Sequence, residues 1–294
     1  MSQDLKLMSQ PGRLRTLLGD YPGTAGVKSG AVASDRLTLD FACYPSVIDG
    51  FKPMVRQQAF DVAELAIVSY LIAREFDKPL VLLPVTTTGR FPHARALYNA
   101  ERGRLWPADL AGKRVAVRSL TTTTGVWLRG MLANDYGVDL NRIEWVTFED
   151  PHVAECHEGG ARAPTGRTII QMLLDGEVDA VLGETSNDPR LKPLLADPKA
   201  ASEAWFQKHK IVPINHVVVV TKALHDDDPD TVREIYRLLK RSNELCLPQN
   251  QTPFGLAAMR PALQLVIDYA AQQKLISRRL CVDELFSDLT SSLA

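Results

Sequence analysis

The sequence has few cysteines and no long apolar run. Four cysteines occur in 294 residues, at positions 43, 156, 246 and 281, and no two of them form a CxxC pair. This spacing argues against a disulfide framework and a zinc knuckle, and it favours a reducing compartment. No window has the length and apolar character of a membrane span. These absences, with a hydrophobic content of 45%, predict a globular protein with no membrane partner.

The chain also lacks a charge excess of either sign. Its formal net charge is −1, so it does not carry the basic footprint of a protein that binds nucleic acid or anionic membranes. The start, MSQDLKLMSQPGRLR, has no apolar core of signal-peptide length. We therefore expect a cytoplasmic protein, with residues 1–11 as a loose tail.

Several catalytic signatures are missing as well. There is no GxxxxGK[ST] motif for nucleotide phosphates and no GxSxG elbow for a serine hydrolase. The residues that could bind a metal are dense in one place only, His152 to Glu158, where the context is rich in Pro and Gly. We interpret this segment as a solvated loop rather than a metal site, and we expect no cofactor.

The most informative stretch runs from Arg114 to Gly137. Its apolar start predicts a buried strand, its polar middle contains the run Thr121, Thr122, Thr123 and Thr124, and its end has helical periodicity up to Gly137. A strand, a hydroxyl-rich turn and a helix N-terminus can together bind a carboxylate or small oxyanion. The alternative is that the threonines only cap the helix.

Strands and helices alternate along the rest of the chain, which predicts an α/β fold with mostly parallel sheets. One unit recurs: FDVAEL at 60–65 and EVDAVLGE at 177–184 each place an Asp before an apolar strand that ends in Glu. Two such units suggest two similar lobes, with ligands at the strand ends. We predict that lobe one contains residues 1–108 and 216–294, that lobe two contains 109–215, and that the first crossing lies at 102–110.

Several blocks of sequence resemble the 4,5-dihydroxyphthalate decarboxylase family, over about Leu14 to Leu289. They are FDVAELAIVSYLIA, the loop Arg90-Phe91-Pro92-His93, DLAGKRVAV, TGVWLRGMLANDYGV, NHVVV after Pro213-Ile214, and the tail from PFGLAAMRPAL to LCVDELF. The resemblance implies a two-lobe fold similar to type-2 periplasmic binding proteins, with a ligand cleft between the lobes. The sequence differs from the family's pattern at Pro92 and in the threonine run.

The resemblance also implies a reaction, the loss of carbon dioxide from a hydroxylated aromatic carboxylate. Such a reaction needs a clamp for the carboxylates, for which arginine is suited, and a proton donor near neutral pH, for which histidine is suited. We predict Arg90 as a clamp and His93 as the acid or as a contact to the phenol. His216, at the return crossing, is the second candidate acid. Either histidine could instead be an ordinary structural residue.

The remaining candidates surround these residues in the predicted cleft. Glu64 and Glu184 are the repeated strand-end acids, and either could orient a histidine or simply pair with an arginine. The predicted substrate-binding groups are Arg118, Ser69, Tyr70, Thr121, Thr122, Thr123, Thr124 and Asn215, with Arg90 and Glu184. We predict His93, His216 and Glu64 as catalytic.

The sequence therefore predicts a cofactor-independent decarboxylase, a carbon–carbon lyase of aromatic compound degradation, whose partner is a small aromatic carboxylate. The alternative is a binding protein for an aromatic acid or a similar anion that performs no chemistry. A third reading, enzymatic chemistry of another class on the same fold, stays open, as does a homo-oligomer. Fold alone does not separate these functions.

Overall fold

Two mixed β-sheets form the framework of the protein. The computed structural model describes residues 12–246 and 252–293, and the predicted tail at residues 1–11 lies outside them. In chain order the strands are β1 (Gly12–Leu17), β2 (Leu37–Phe41), β3 (Val62–Ala66), β4 (Leu80–Gly89), β5 (Ala96–Asn99), β6 (Arg114–Val117), β7 (Glu144–Thr147), β8 (Ala161–Arg162), β9 (Ala180–Leu182), β10 (Leu191–Pro193) and β11 (Ile214–Thr221).

Helices cover both sheets. In chain order they are α1 (Pro22–Lys28), α2 (Phe51–Gln57), α3 (Ile67–Glu75), α4 (Thr123–Tyr136), α5 (Ile169–Asp175), α6 (Pro198–His209), α7 (Lys222–Asp227), α8 (Pro229–Glu244), α9 (Leu256–Gln272) and α10 (Asp288–Ser291). Within the described ranges, no helix has both the length and the apolar character needed to cross a bilayer.

The first sheet has the strand order β2-β1-β3-β11-β4. Strand β1 is parallel to both of its neighbours, whereas β11 is antiparallel to β3 and to β4. Every residue of β11 is buried, because this strand lies inside the sheet and both of its faces are covered, which suits its run of valines. We call this sheet and the helices packed on it lobe one.

The second sheet has the order β10-β5-β9-β6-β7-β8. Strands β9, β6, β7 and β8 are parallel, while β5 is antiparallel to both of its neighbours, β9 and the edge strand β10. We call this sheet and its helices lobe two. The α/β architecture and its two lobes agree with the sequence prediction, and the sheets are mixed because the crossing segments add antiparallel strands to each.

The chain passes between the sheets earlier than the predicted crossing at 102–110. Strand β4 ends in lobe one at Gly89, and β5 already belongs to the second sheet, so the first crossing lies between Gly89 and Ala96. The return crossing lies between α6 and β11. The strands therefore place residues 96–108 with lobe two, because β5 pairs with β9 and β10.

The repeated Asp has the same structural role in both lobes. The Oδ2 atom of Asp61 accepts a hydrogen bond from the Arg15 N–H at 2.7 Å, and the Oδ2 atom of Asp179 accepts one from the Arg114 N–H at 2.9 Å. Each aspartate thus joins the start of a central strand to the neighbouring strand. The sequence repeat is therefore a repeat of structure.

Caps and strand pairing set the bounds of three elements. Strand β4 continues to Gly89 through hydrogen bonding with β11. Helix α6 begins after Asp197, which caps it by accepting from the Ala200 N–H at 2.9 Å. Helix α9 begins at Leu256, so Pro261 lies inside the helix.

Helix α4 is buried up to Leu132, apart from the half-buried Thr124, because both lobes pack against it. Val126, Trp127 and Met131 join the core of lobe one, while Leu128 and Leu132 join the core of lobe two. A helix that is apolar all round belongs in an interior. Gly130 allows the ring of Tyr269 on α9 to approach the backbone of α4, where a Cβ atom would overlap that ring.

We predict that Gly130→Ala destabilises the protein. Overpacking of a core costs about 1–3 kcal/mol, and the backbone-adjacent part of the Tyr269 ring leaves little room to relax. This cost outweighs the gain of about 1 kcal/mol that alanine brings inside a helix. Urea denaturation measures the effect. Gly159→Ala is the control, since a Cβ there meets no atom within 4 Å, and equal stability of the two variants would contradict the prediction.

Candidate active site

A cavity of about 160 Å³ lies between the lobes. Its volume is close to that of the roughly 150 Å³ cavity known to bind a benzene ring. Ile48, Phe51, Ala66 and Leu182 give it apolar walls. Its polar lining consists of Arg90, Arg95, Arg118, Thr122, Thr123, Thr124, His152, Glu184, Asn215 and His216. Two histidines and three arginines therefore surround a space of the size of one aromatic ring, which we call the cleft.

His216 is held in the cleft by a buried carboxylate. The Nδ1 atom of His216 on β11 lies 2.6 Å from the Oε1 atom of Glu64 on β3, and the Glu64 side chain is fully buried. The pairing of these antiparallel strands brings the two side chains together. Since Glu64 accepts at Nδ1, the Nε2 atom is the one available to the cleft. The histidine is thus oriented for proton transfer at a single nitrogen.

Glu64 has two further donors, which explains how a carboxylate is tolerated in the core. Its Oε2 atom accepts from the Gly19 N–H at 2.9 Å, and its Oε1 atom accepts from the Tyr21 hydroxyl at 2.8 Å. Buried charges persist only when they are paired and hydrogen-bonded. Burial and the adjacent Glu64 charge raise the pKa of Tyr21, so this phenol stays protonated and donates.

A second histidine, His152, lies on the other side of Phe51. The Phe51 ring makes edge contacts to both imidazoles, with ring centroids 5.1 Å from His216 and 5.6 Å from His152. The Nδ1 atom of His152 lies 2.7 Å from the Ser69 hydroxyl at the start of α3. Burial, helped by nearby cations of which Lys52 contributes most, lowers the pKa of His152 to about 4. This imidazole is therefore neutral near pH 7.

Three arginines make the cleft positive. Arg118 pairs with Glu149, with 3.0 Å between Nε and Oε1. Burial is the main cause that lowers the pKa of Arg90, and the positive charge of the nearby Arg95 is the second cause. Burial raises the pKa of Glu184, and the positive charges of Arg118 and Arg95 act in the opposite direction. With three guanidinium groups against the carboxylates of Glu184 and Glu149, the cleft keeps a positive balance, which suits an anionic ligand.

Helix α4 directs its N-terminus at this space. The N–H groups of its first turn have no partner inside the helix, and the helix dipole favours an anion there. Thr122 is the N-cap residue, yet its side chain makes no capping bond; its hydroxyl donates to the Ser119 carbonyl at 2.9 Å instead. The capping alternative therefore does not account for the threonine run.

The neighbouring threonines join α4 to lobe one. The Thr123 hydroxyl accepts from the Val68 N–H at 3.2 Å, and the Thr124 hydroxyl accepts from the Asn215 side-chain amide at 3.2 Å. Both bonds cross between the lobes. The threonine hydroxyls thus position the helix terminus, and the backbone N–H groups remain for a ligand.

Three of the predicted site residues lie apart from the cleft lining. His93 packs against Phe91 and Trp205, and both of its ring nitrogens are buried without a hydrogen-bond partner. The Tyr70 hydroxyl donates to the Leu285 carbonyl at 2.9 Å on the far side of lobe one. Thr121 is buried against Ser119, with 2.7 Å between their hydroxyl oxygens. The other predicted residues line the cleft or, as Glu64 and Ser69 do, hold a histidine that lines it.

The segment from His152 to Glu158 is only in part the solvated loop that we predicted, because Glu155 and His157 are exposed whereas Val153 is buried. Val153 is buried in the core of lobe one, and this contact places the adjacent His152 at the cleft. Glu158 accepts from the Ser119 hydroxyl at 2.6 Å, while Glu155 pairs with Lys78. Among the described residues no group of three or more His, Cys, Asp or Glu is arranged to hold a metal ion.

Sequence reasoning missed Arg95 and the role of His152. Arg95 lies in a short 3-10 turn, His93–Arg95, that directs it into the cleft, and its spacing of five from Arg90 was the available signal. Phe51 and Gly183 were also missed. Gly183 lines the cleft with a φ of 98°, a conformation that favours glycine and that directs the chain from β9 to Glu184.

A larger groove of about 670 Å³ lies on the back of lobe one, where Tyr70 lines it. Three of its basic residues already have acidic partners, as Lys78 pairs with Glu155, Lys222 with Asp226 and Arg278 with Glu284. Its histidine, His225, has both ring nitrogens engaged, with Asp226 at 2.7 Å and with Ser287 at 2.8 Å, so neither nitrogen is left for a ligand.

The fold is that of two-lobed periplasmic binding proteins. The alkanesulfonate-binding protein SsuA from Xanthomonas axonopodis pv. citri, bound to MOPS, superposes with a TM-score of 0.60 over 95% of this chain and 99% of its own, at 14% identity. SsuA from Escherichia coli gives 0.58 over 95% and 92%, at 13% identity. No protein-family model matches the chain.

Sequence similarity is to 4,5-dihydroxyphthalate decarboxylases, as the resemblance predicted. The chain is 33% identical over 208 residues to the protein of that name from Comamonas testosteroni, covering 65% of this chain and 63% of the relative. It is 29% identical over 168 residues to the one from Pseudomonas putida, covering 52% and 65%. The match thus spans a little less than two thirds of each relative.

We predict that His93 makes the protein less stable in acid. Burial is the main cause that lowers the pKa of His93 to about 4, against the opposing charge of Asp135. The unfolded chain takes up a proton as the pH falls through about 6.5, and the folded chain does not, so stability falls between pH 6.5 and 4. His93→Leu should reduce this fall by roughly 3 kcal/mol, measured by urea denaturation at each pH.

The control for this experiment is His157→Leu, which replaces an exposed histidine and should leave the pH profile of stability unchanged. At pH 7 the His93→Leu variant should be at least as stable as the wild type, because it removes two buried nitrogens that have no partner. An unchanged slope in the His93→Leu variant would contradict the burial of a neutral imidazole.

Proposed function

We propose that this protein is a cofactor-independent decarboxylase of a hydroxylated aromatic dicarboxylate of the 4,5-dihydroxyphthalate type. The observation that carries the proposal is the cleft itself, where the His216–Glu64 pair faces the same small space as Arg90, Arg95 and Arg118. The names of the two relatives support it. The proposed partner is a small molecule.

Substrate binding uses the two kinds of surface in the cleft. The ring packs against Phe51 and the aliphatic walls, and the carboxylates bind the guanidinium groups and the N-terminus of α4. Arginine suits this role because its planar fork matches a carboxylate and its charge is permanent. Two adjacent carboxylates on one ring give a charge that the three arginines can compensate.

Decarboxylation then requires a proton at the ring carbon that carries the departing carboxylate. The hydroxyl para to this carbon supplies electrons to the ring, and the Nε2–H of protonated His216 donates its proton to the carbon. The bond to the carboxylate then breaks, its electron pair restores the aromatic ring, and carbon dioxide leaves. His216 recovers a proton from water, so the reaction consumes one proton and releases one carbon dioxide.

Glu64 supports this step without contacting the substrate. Its hydrogen bond keeps a proton on Nδ1 and fixes the ring, so the second proton is carried at Nε2. General acid catalysis of this kind contributes typically 10²–10⁴-fold to a rate. Water exclusion by the two lobes would strengthen the electrostatic contacts.

We further propose that the reaction takes place in the cytoplasm. All four cysteines are free thiols, and they lie in separate parts of the structure, which supports a reducing compartment. A second candidate function, binding of an aromatic anion without chemistry, is supported by the fold shared with SsuA. The oriented His216–Glu64 pair favours the enzyme, since binding alone does not require it.

The first test is carbon dioxide release by the purified protein after treatment with a chelator. The panel contains 4,5-dihydroxyphthalate, 3,4-dihydroxybenzoate and simple hydroxybenzoates, with thermal shift recorded on the same samples. We expect release from the dihydroxyphthalate with 3,4-dihydroxybenzoate as product. Stabilisation without release would favour the binding protein, and release only after a divalent metal is returned would contradict the cofactor-independent mechanism.

We predict that His216→Asn lowers kcat by 10²–10⁴-fold while the Kd for the substrate changes little. Asparagine keeps a polar atom near the position of Nδ1 for Glu64 and removes Nε2. Steady-state kinetics and calorimetric binding measure the two effects separately. His157→Asn, on an exposed histidine, is the control. Equal loss of binding and turnover would mean that His216 positions the substrate rather than protonates it.

We predict that Arg95→Met weakens the binding of a dicarboxylate far more than the binding of a monocarboxylate. Loss of a charge-assisted contact costs about 1.5–3 kcal/mol, so the Kd for phthalate should rise by at least tenfold while that for benzoate changes little. Arg13→Met is the control, because Arg13 pairs with Asp40 at the exposed edge of lobe one. Equal weakening of both ligands by Arg95→Met would show that the arginine contacts only one carboxylate position or shapes the cleft.

A further inference from the structure

Residues 149–158 follow β7 of lobe two and cross onto lobe one, and we call this segment the strap. Arg56 on α2 fixes its middle, since its Nε donates to the His152 carbonyl at 3.0 Å and its Nη2 donates to the Pro151 carbonyl at 2.8 Å. Lys78 of lobe one pairs with Glu155 at 2.6 Å. Val153 is buried in the core of lobe one. The strap is therefore a docked segment that depends on lobe one.

Both ends of the strap remain attached to lobe two. At its start, Glu149 pairs with Arg118 of the cleft at 3.0 Å. At its end, the Oε2 atom of Glu158 accepts from the Ser119 hydroxyl at 2.6 Å and from the Leu120 N–H at 2.5 Å. The strap thus links the turn that precedes α4 to the surface of lobe one, and its middle carries His152 into the cleft.

The contacts of His152 leave one nitrogen for a ligand. Its Nδ1 atom is engaged with the Ser69 hydroxyl at 2.7 Å, and its ring rests edge-on against Phe51. Because the residue lines the cleft, Nε2 is the atom that a bound molecule meets. Burial, together with the positive charges of Lys52, Arg118 and Arg56, lowers the pKa of His152 to about 4 and keeps the imidazole uncharged near pH 7.

An uncharged imidazole is a poor partner for a carboxylate when three arginines are close by. It is a good partner for a phenol, because a neutral imidazole nitrogen can accept from a hydroxyl or, in the other tautomer, donate to its oxygen. The Ser69 hydroxyl can take either complementary role toward Nδ1. The Ser69–His152 pair can therefore hydrogen-bond to a ring hydroxyl in either direction.

We propose that the strap delivers His152 across the cleft as the residue that recognises a ring hydroxyl of the substrate. This inference rests on the proposed function and assigns the specificity for a hydroxylated ring to one side chain. It also makes that specificity depend on docking of the strap, since His152 reaches the cleft only while Arg56, Lys78 and Val153 hold the segment on lobe one.

The test compares two ligands that differ only in the hydroxyls, 4,5-dihydroxyphthalate and phthalate, by calorimetric binding, with each variant made in the His216→Asn background so that turnover is slow. His152→Asn keeps a polar atom for Ser69 and removes Nε2. We expect its Kd for the dihydroxy compound to rise about tenfold, the effect of one lost hydrogen bond, with the Kd for phthalate unchanged. His157→Asn, on the exposed part of the same strap, should change neither. Equal weakening of both ligands by His152→Asn, or of neither, would overturn the hydroxyl assignment.

A second variant tests delivery by the strap. Arg56→Met removes both bonds to the strap backbone and leaves His152 intact. We expect faster amide hydrogen exchange in residues 149–158 and the same loss of discrimination between the two ligands. Arg13→Met serves as the control arginine. Unchanged exchange in the strap, or full discrimination despite faster exchange, would overturn the dependence on docking.

The outcomes separate this inference from the proposed function. The wild-type protein could release no carbon dioxide while the His152→Asn variant loses discrimination between the ligands. This result would support hydroxyl recognition and contradict the decarboxylase. Carbon dioxide release by a His152→Asn variant that still discriminates fully would support the decarboxylase and overturn the role of His152.

Discussion

The structure depends on the burial of α4 between the two lobes. One side of the helix completes the core of lobe one and the other completes the core of lobe two, so neither lobe has a finished interior without it. This constraint also fixes the N-terminus of the helix at the cleft, where Thr123 and Thr124 bond to lobe one. The packing that joins the lobes and the geometry that attracts an anion are therefore consequences of one helix position.

Much of the fold and part of the site could be predicted from the sequence. The run Val217–Val220 and the capped start of α8, where Asp228 accepts from the Thr231 N–H at 3.0 Å, are local signals, and local signals decide the type of an element. Glu64 and His216 were both predicted as candidates. Their pairing was not, because 152 positions separate them and only the antiparallel register of β11 on β3 brings them together.

The remainder was set by contacts that a sequence pattern does not contain. His93 matched the residue type of an acid, but packing against Trp205 turns it away from the cleft. The sequence indicated His152 only as a residue that could bind a metal, because its position in the cleft depends on the burial of Val153 in lobe one. The polar residues around it indicated a solvated loop. Burial of one valine contributes about 1.5–3 kcal/mol, which is enough to hold the segment on lobe one.

The buried carboxylate of Glu64 couples chemistry to folding. A carboxylate that is sealed in the core and loses one of its hydrogen-bonding partners imposes a penalty of several kcal/mol. Position 216 must therefore keep a side chain that bonds to Glu64, or Glu64 must change with it. Residues that line the cleft without contacting Glu64 are not bound by this requirement. On this scaffold, single mutations can therefore change which ligand the cleft accepts, while the residue at 216 stays tied to the stability of the fold.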